Sequence, residues 1–116
     1  EAGLAGDPVT LPQAVYAGVA GAELHNHHIY NQFVILVSRR DELRQFLQDN
    51  AVGCEIYYPL CLHQQECLKD ETFRQQHFPV AERAAGTSLA LPIYPELTGD
   101  QLAFVVETIQ RFYRTR

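Results

Sequence analysis

The stretch YNQFVILV, residues 30–37, contains the pattern that decides the fold. Its second half is continuously apolar and rich in β-branched side chains, which is typical of a strand buried on both faces. We therefore predict that residues 30–37 form the central strand of a sheet.

An amphipathic helix is predicted directly after the central strand, over about 39–50. Leu43, Phe46 and Leu47 recur at helical spacing. Ser38 has the residue type of a helix cap, and Gly53 is a plausible stop. This segment therefore predicts one helix that lies against the sheet.

Two further helices are predicted in the second half of the chain. Pro79 suits the first position of a short helix that Gly86 would end. Thr98 and Gln101 form a capping box at the start of a C-terminal helix. That helix carries a full apolar stripe, made of Leu102, Val105, Val106, Ile109, Phe112 and Tyr113.

The order of the elements predicts the fold class. CEIYY (54–58) and SLALPI (88–93) read as two more strands, and residues 1–28 read as an extended lead-in because Pro8 and Pro12 interrupt any long helix. Strands and helices thus alternate through residues 29–116. We predict a single α/β domain, an α+β two-layer sandwich in which helices cover one face of a small three- or four-stranded sheet.

Composition limits the classes of partner. The 116 residues carry a net charge of −5 with 47% hydrophobic residues, as expected for a folded protein without a nucleic-acid surface. No apolar run approaches the ~20 residues that cross a bilayer, and no signal peptide is visible, so a cytoplasmic setting is the default. The chain contains no methionine, and we expect it to be part of a longer product.

The cysteines and histidines do not define a metal centre or a thiol nucleophile. Three cysteines that lack CxxC spacing predict free, packed thiols: Cys54, Cys61 and Cys67. His25, His27 and His28 lack a carboxylate or cysteine at ligand spacing. A Cys61–His63 or Cys67–His63 nucleophile would need a third, orienting group that the sequence does not single out.

The polar candidates gather in two segments, HNHHIYNQ (25–32) and YYPLCLH (57–63), both at predicted strand ends. Aromatic faces can stack on sugars and bases, and hydroxyl and imidazole groups can fix their orientation. The structural alternative is that one residue of each adjacent pair packs inward while its neighbour lies on the surface, since side chains alternate along a strand. The residues alone name no reaction.

Three stretches resemble a known family: HHIYNQFVILVSRRDELRQFL (27–47), GCEIYYPLCLHQQECL (53–68) and FPVAERAAGTSLALPIYPELTGDQLAFVVETI (78–109). In this order they resemble the C-terminal part of the DegT/StrS family of nucleotide-sugar aminotransferases, which use pyridoxal phosphate. The resemblance covers about 90 of the 116 residues, and several motifs in tandem are harder to obtain by chance than one.

The resemblance implies the small domain of a fold-type-I enzyme, which closes over a cofactor that a large domain holds on a lysine. Lys69, beside Asp70 and Glu71, is not that lysine, because a catalytic amine needs a depressed pKa. No catalytic residue is therefore expected in this chain, and the chain alone should be inactive. The implied partners are a nucleotide-sugar substrate, glutamate or glutamine as amino donor, the large domain, and a second subunit in a homodimer.

The resemblance also implies the substrate-binding residues. Two groups would form the small domain's side of the substrate cleft: His28, Tyr30 and Asn31 near the nucleotide sugar, and Tyr57, Tyr58 and His63 in its wall. Cys61 departs from the proline common in relatives, and residues 68–77 look shorter and more polar than usual. The chief alternative function is a free-standing binding module without catalysis, and a metal- or thiol-dependent enzyme is the remote third.

Overall fold

A three-stranded antiparallel sheet forms the centre of the computed structural model, which describes residues 8–16, 28–68 and 76–115. The strands are β1 (Val9–Thr10), β2 (Phe33–Val37) and β3 (Ser88–Leu91), in the order β1-β2-β3. β2 is thus the central strand, as its sequence predicts. β1 lies inside the stretch predicted as a lead-in, so the sheet begins before residue 29.

Three α-helices lie in the described part of the chain: α1 (Arg40–Asp49), α2 (Pro79–Thr87) and α3 (Gly99–Arg114). All three were predicted, with ends within a few residues of those observed. None of the described helices has the length and apolar character that crossing a bilayer requires.

One face of the sheet carries the core. Ile35 and Val37 of β2 are 0% and 2% exposed, whereas Leu36 between them is 37% exposed. The buried side chains on this face pack with those of α1 and α3, chiefly Leu43, Leu47, Leu89, Val105, Ile109 and Phe112. The central strand is therefore fully covered on one face only, and the prediction that both faces are buried was wrong for Leu36.

The short helix α2 lies on the other face of the sheet. Its alanines line the same cleft as Val34 and Leu36 of β2, and β3 begins directly after it at Ser88. Arg40 of α1 fixes this junction, because its Nη1 donates to the carbonyl oxygens of Ala85 (2.8 Å) and Ser88 (3.2 Å). The prediction that helices cover one face of the sheet therefore holds for α1 and α3, whereas α2 lies on the other face.

Helix ends follow the sequence in one case and depart from it in another. At α3 the predicted capping box is present: the Gln101 N–H donates to Thr98 Oγ1 and the Thr98 N–H donates to Gln101 Oε1. At α1 the predicted Ser38 cap is wrong, since the N-cap is Arg39 in the left-handed region (φ 55°) with no side-chain cap. After α1, Ala51 rather than Gly53 takes a positive φ, of 58°.

The predicted strand over 54–58 is reduced to a single antiparallel bridge. Glu55 and Ala90 exchange two backbone hydrogen bonds, of 3.1 and 2.8 Å. Pro59 follows closely, and the chain then continues in two 3₁₀ turns, Leu62–Gln64 and Glu66–Leu68. Glu55 thus meets the free edge of β3 at one point, and the residues that follow it lie outside the sheet.

Candidate functional site

Tyr57 separates two clefts. The first, named here the polar cleft, has a volume of 970 Å³ and is lined by side chains that include Asn31, Gln32, Glu55, Tyr57, Tyr94 and Gln101. The second, named the apolar cleft, has a volume of 660 Å³ and is lined by side chains that include Leu36, Tyr57, Tyr58, Leu62, His63 and Phe78. Because Tyr57 lines both, the two clefts share one wall.

The sheet register builds the polar cleft. Phe33, the first residue of β2, pairs with Leu91, the last residue of β3. The residues just before β2 and just after β3 therefore leave the sheet side by side, which brings Asn31 close to Tyr94. Glu55, at its bridge to β3, and the first turn of α3 form the remaining sides of the cleft.

The polar cleft combines carboxylate, amide and aromatic groups. Glu55 is paired with Arg44 at 3.4 Å, and its Oε1 also accepts the N–H of Ile56. Asp100 and Gln101, in the first turn of α3, add a second carboxylate and an amide to the lining. Such groups can donate to and accept from hydroxyls while the tyrosine rings pack on a sugar or base. The arrangement is suited to an oriented, hydroxyl-rich ligand.

His63 lies in the wall of the apolar cleft and is held there by Glu82. Its Nε2 lies 3.1 Å from Glu82 Oε1, and its side chain is 10% exposed. Glu82 Oε1 also accepts the Phe78 N–H at 2.9 Å, at the start of α2. That backbone hydrogen bond is the largest of the effects that lower the pKa of the Glu82 carboxyl, and the nearby His77 and His63 act in the same direction. Since an ionised carboxylate only accepts, His63 carries a proton on Nε2.

Tyr57 and Tyr58 both line the apolar cleft, so the expected divergence of this pair is not observed. The peptide bond between them is cis, and their ring centroids are 6.1 Å apart. Tyr58 is 72% exposed at the rim, whereas Tyr57 is 43% exposed between the clefts. The two rings therefore form a ridge rather than two faces of a strand.

His28 and Tyr30 form a separate pair that lines neither cleft. The Tyr30 N–H donates to His28 Nδ1 at 2.9 Å, and the ring centroids are 4.1 Å apart. Tyr30 has a φ of 46°, so strand alternation does not apply to it. Of the six predicted site residues, the structure brings Asn31 and Tyr57 together in the polar cleft and Tyr57, Tyr58 and His63 together in the apolar cleft.

Sequence reasoning missed several residues of the polar cleft, among them Glu55, Tyr94, Asp100, Gln101 and Phe104. Tyr94 carried a usable signal, because an aromatic residue just after a strand and between two prolines is placed at a sheet end. The spacing of Gln101 indicates only a capping box. The position of Phe104 indicates only a helix, and nothing in its spacing points to a cleft.

The thiols and histidines of the described ranges form no cluster of metal ligands. No three His, Cys, Asp or Glu side chains there converge on a metal position, and His25 and His27 lie outside them. Cys61 is buried and Cys67 exposed, while burial raises the pKa of the half-buried Cys54.

The described residues contain no lysine amine that could bind the aldehyde of pyridoxal phosphate covalently. They contain no lysine, since Lys69, the one lysine in the sequence, falls outside them. The part of the chain that the structure describes therefore does not fit a covalent pyridoxal phosphate site.

The fold and the clefts define a small α/β domain with a polar, aromatic cleft at the open end of its sheet. Its family is established by sequence: residues 10–110 match the DegT/DnrJ/EryC1/StrS aminotransferase family. The chain belongs to this family, which confirms the resemblance drawn from the motifs.

Individual relatives agree with the family. The chain is 37% identical over 109 residues to the pleiotropic regulatory protein of Geobacillus stearothermophilus, covering 94% of this chain and 27% of that protein. It is 38% identical over 85 residues to the UDP-N-acetyl-3-dehydro-α-D-glucosamine 3-aminotransferase of Acidithiobacillus ferrooxidans, covering 73% and 22%.

A solved structure confirms the fold. NtdA from Bacillus subtilis, with bound cofactor PMP, matches with a TM-score of 0.70 and 25% identity, covering 90% of this chain and 23% of that one. In each comparison the chain spans about a quarter of the relative's length.

Proposed function

We propose that residues 29–116, together with strand β1 from the stretch 1–28 that was predicted as a lead-in, form the C-terminal small domain of a pyridoxal phosphate-dependent aminotransferase. The complete enzyme would move an amino group from glutamate or glutamine to a keto-sugar nucleotide. The observation that carries this proposal is the 38% identity to an enzyme named as a UDP-sugar 3-aminotransferase. The same proposal includes a cytoplasmic homodimer.

The role of this chain would be to form one wall of the substrate cleft. Asn31 and Tyr57 supply an amide and a phenol to the polar cleft, with Tyr94 and Gln101 beside them. Aromatic rings and a few oriented polar groups are what a sugar-nucleotide site needs. Tyr58 and His63 line the apolar cleft on the other side of Tyr57. They would help build this wall without contacting the substrate, and His28 and Tyr30 would lie at its margin.

The cofactor and the catalytic amine would belong to the part of the enzyme outside this match. Pyridoxal phosphate supplies an electron sink for the amino-group transfer when it is bound. The residues described in this chain would bind and orient the substrate rather than react with it. The chain alone should therefore not catalyse transamination.

The first experiment compares the isolated 116-residue chain with the full-length gene product. The isolated chain should retain no pyridoxal phosphate absorbance after dialysis and should not transaminate, whereas the full-length product should do both. Activity of the isolated chain would overturn the proposal. A gene that encodes no lysine-bearing domain would instead favour a free-standing binding module.

The second experiment tests the polar cleft in the full-length product. Asn31→Ala and Tyr57→Phe should each raise KM for the sugar nucleotide roughly tenfold, the scale of one lost hydrogen bond. Tyr16→Phe is the matched control, because Tyr16 is exposed and lines neither cleft. An unchanged KM in both cleft variants would mean that these residues have only a structural role.

A further inference from the structure

The second face of the sheet is open where a central strand is normally covered. Leu36 of β2 has a neighbouring strand on each side yet is 37% exposed, while Ile35 and Val37 on the core face are almost fully buried. The apolar cleft lies over this open face, with α2 on one side and residues 57–62 on the other. The domain's own described elements thus leave this half of the sheet partly covered.

Large apolar side chains stand around this opening. Tyr58 is 72% exposed, Leu60 52%, Leu62 75% and Phe78 43%, and all four line the apolar cleft. Contiguous exposed apolar surface of this kind marks an interaction site. The side chains project at the rim, so a small metabolite within the cleft would leave them in water. A protein surface would cover the cleft and its rim together.

The cleft offers little to a polar ligand. Its imidazole, His63, is tied to Glu82, and Ser88 is buried at 6% exposure. Among the residues that the structure describes, no lysine, arginine, aspartate or glutamate lines it. Its walls are aliphatic and aromatic, and the α2 side is built from Ala81, Ala84 and Ala85, which allow close approach of another backbone. An apolar protein surface is the chemistry that fits.

The relatives indicate where such a surface would come from. The chain corresponds to 22–27% of the length of the matched relatives, so about three quarters of a complete polypeptide of this kind lies outside it. Interfaces between domains of one chain bury on the order of 600–1,500 Å², and a partner of that size would cover the cleft and its exposed rim together.

We propose that the apolar cleft and its rim are the surface on which the larger, cofactor-binding part of the same polypeptide docks. This inference rests on the proposed function, because it requires the chain to be one domain of a longer enzyme. It assigns separate roles to the two clefts that Tyr57 separates. The polar cleft contacts substrate and the apolar cleft contacts protein, so Tyr57 lies where the two surfaces meet.

Hydrogen exchange tests the docking surface directly. Backbone amides of residues 57–64 lie outside the sheet, and they should exchange at least about tenfold more slowly in the full-length gene product than in the isolated chain. Amides of α1, on the core face, should be similarly protected in both and serve as the internal reference. Equal exchange of 57–64 in the two proteins, or a gene that encodes no further domain, would overturn the proposal.

A pair of exposed apolar positions provides the matched variants. Leu62→Ser should remove most of the added protection of 57–64 in the full-length product, whereas Val80→Ser should not. Val80 is 84% exposed on α2 and does not line the cleft. Both variants should leave the isolated chain's urea midpoint unchanged, because both side chains are already exposed. Full protection in the Leu62 variant would sink the proposal.

Two further outcomes separate the alternatives. If the isolated chain dimerises in sedimentation and Leu62→Ser abolishes the dimer without affecting exchange in the full-length product, a second copy occupies the cleft and the proposal fails. Transamination is measured on the same samples. Activity with unprotected 57–64 would refute the docking surface alone, whereas protection without activity would refute the proposed function alone.

Discussion

Replacement of Arg40 by methionine should destabilise the domain by about 2–3 kcal/mol. The Arg40 side chain is 9% exposed and its Nη1 reaches two carbonyl oxygens, those of Ala85 and Ser88. The Ala85 carbonyl belongs to the last turn of α2, where no helical N–H remains to pair with it. A hydrogen bond from a charged donor contributes about 1.5–3 kcal/mol to stability. Because one nitrogen serves both acceptors, we count one such bond and take the upper part of this range.

Arg44→Met on the same helix is the matched control. The Arg44 side chain is 37% exposed, lies 3.4 Å from Glu55, and has a buried Nε without a hydrogen-bond partner. Exposed ion pairs contribute about 0–1 kcal/mol, and the unpaired Nε offsets part of that. We therefore expect a change within about 0.5 kcal/mol for this variant.

Urea unfolding followed by circular dichroism measures both variants. With a slope of about 1.5 kcal/mol per molar urea, the midpoint should fall by roughly 1.3–2 M for Arg40→Met and by less than about 0.4 M for Arg44→Met. Equal shifts in the two variants, or a shift below about 0.4 M for Arg40→Met, would refute the reasoning that Arg40 fixes the junction of α2 and β3.

Three other predictions concern single sites. The pKa of Glu82 is lowered in the folded state, so its carboxylate stabilises the domain above the ordinary pKa of 4.5, and this contribution disappears as the pH falls through the lower folded value. The urea midpoint of Glu82→Gln should therefore depend less on pH below 4.5 than that of the unaltered domain. Identical pH profiles would contradict the prediction. Cys67 is exposed whereas burial raises the pKa of Cys54, so an Ellman titration at pH 8 should show a fast phase that Cys67→Ser removes and Cys54→Ser retains. Ala51→Gly should raise the free energy of unfolding by about 0.5–1 kcal/mol, because Ala51 has a φ of 58°. The control Gly53→Ala should not be destabilised, because its new Cβ would meet nothing within 4 Å. A lower free energy of unfolding in Ala51→Gly would contradict this account.

The helices were predictable because their signals are local. The capping box of α3 joins Thr98 and Gln101, three residues apart, and the stripe that includes Val105, Ile109 and Phe112 repeats at the helical period. The central strand was equally readable, since a run of β-branched residues favours extended backbone whatever surrounds it. Each of these signals is contained within a single segment.

The errors arise where distant contacts outweigh local preference. Glu55 forms one bridge to Ala90 instead of a full strand, although CEIYY has the composition of a strand. Arg39 and Ala51 take positive φ values that favour glycine. The packing of α1 between β2 and α3 sets where this helix begins and ends, so the local signals at Ser38 and Gly53 do not decide its bounds.

The candidate site was predictable in part. The aromatic and polar residues at 28–32 and 57–63 were identified from sequence, but not their division between two clefts. His63 is paired with Glu82, 19 residues away, and no spacing rule links them. Asn31, Tyr57 and Tyr94 line one cleft because the end of β3 lies beside the start of β2 and the Glu55 bridge.

By itself the sequence determined the family, the helices and the central strand, because each follows from residue types and spacings within a short window. Only the tertiary structure decided which sheet face stays open, which residues share a cleft, and that His63 is held by a carboxylate. Those outcomes depend on strand register and helix packing, which bring together residues as far apart as Ser38 and Tyr113, 75 positions along the chain. The free energy of such contacts is not contained in any one segment.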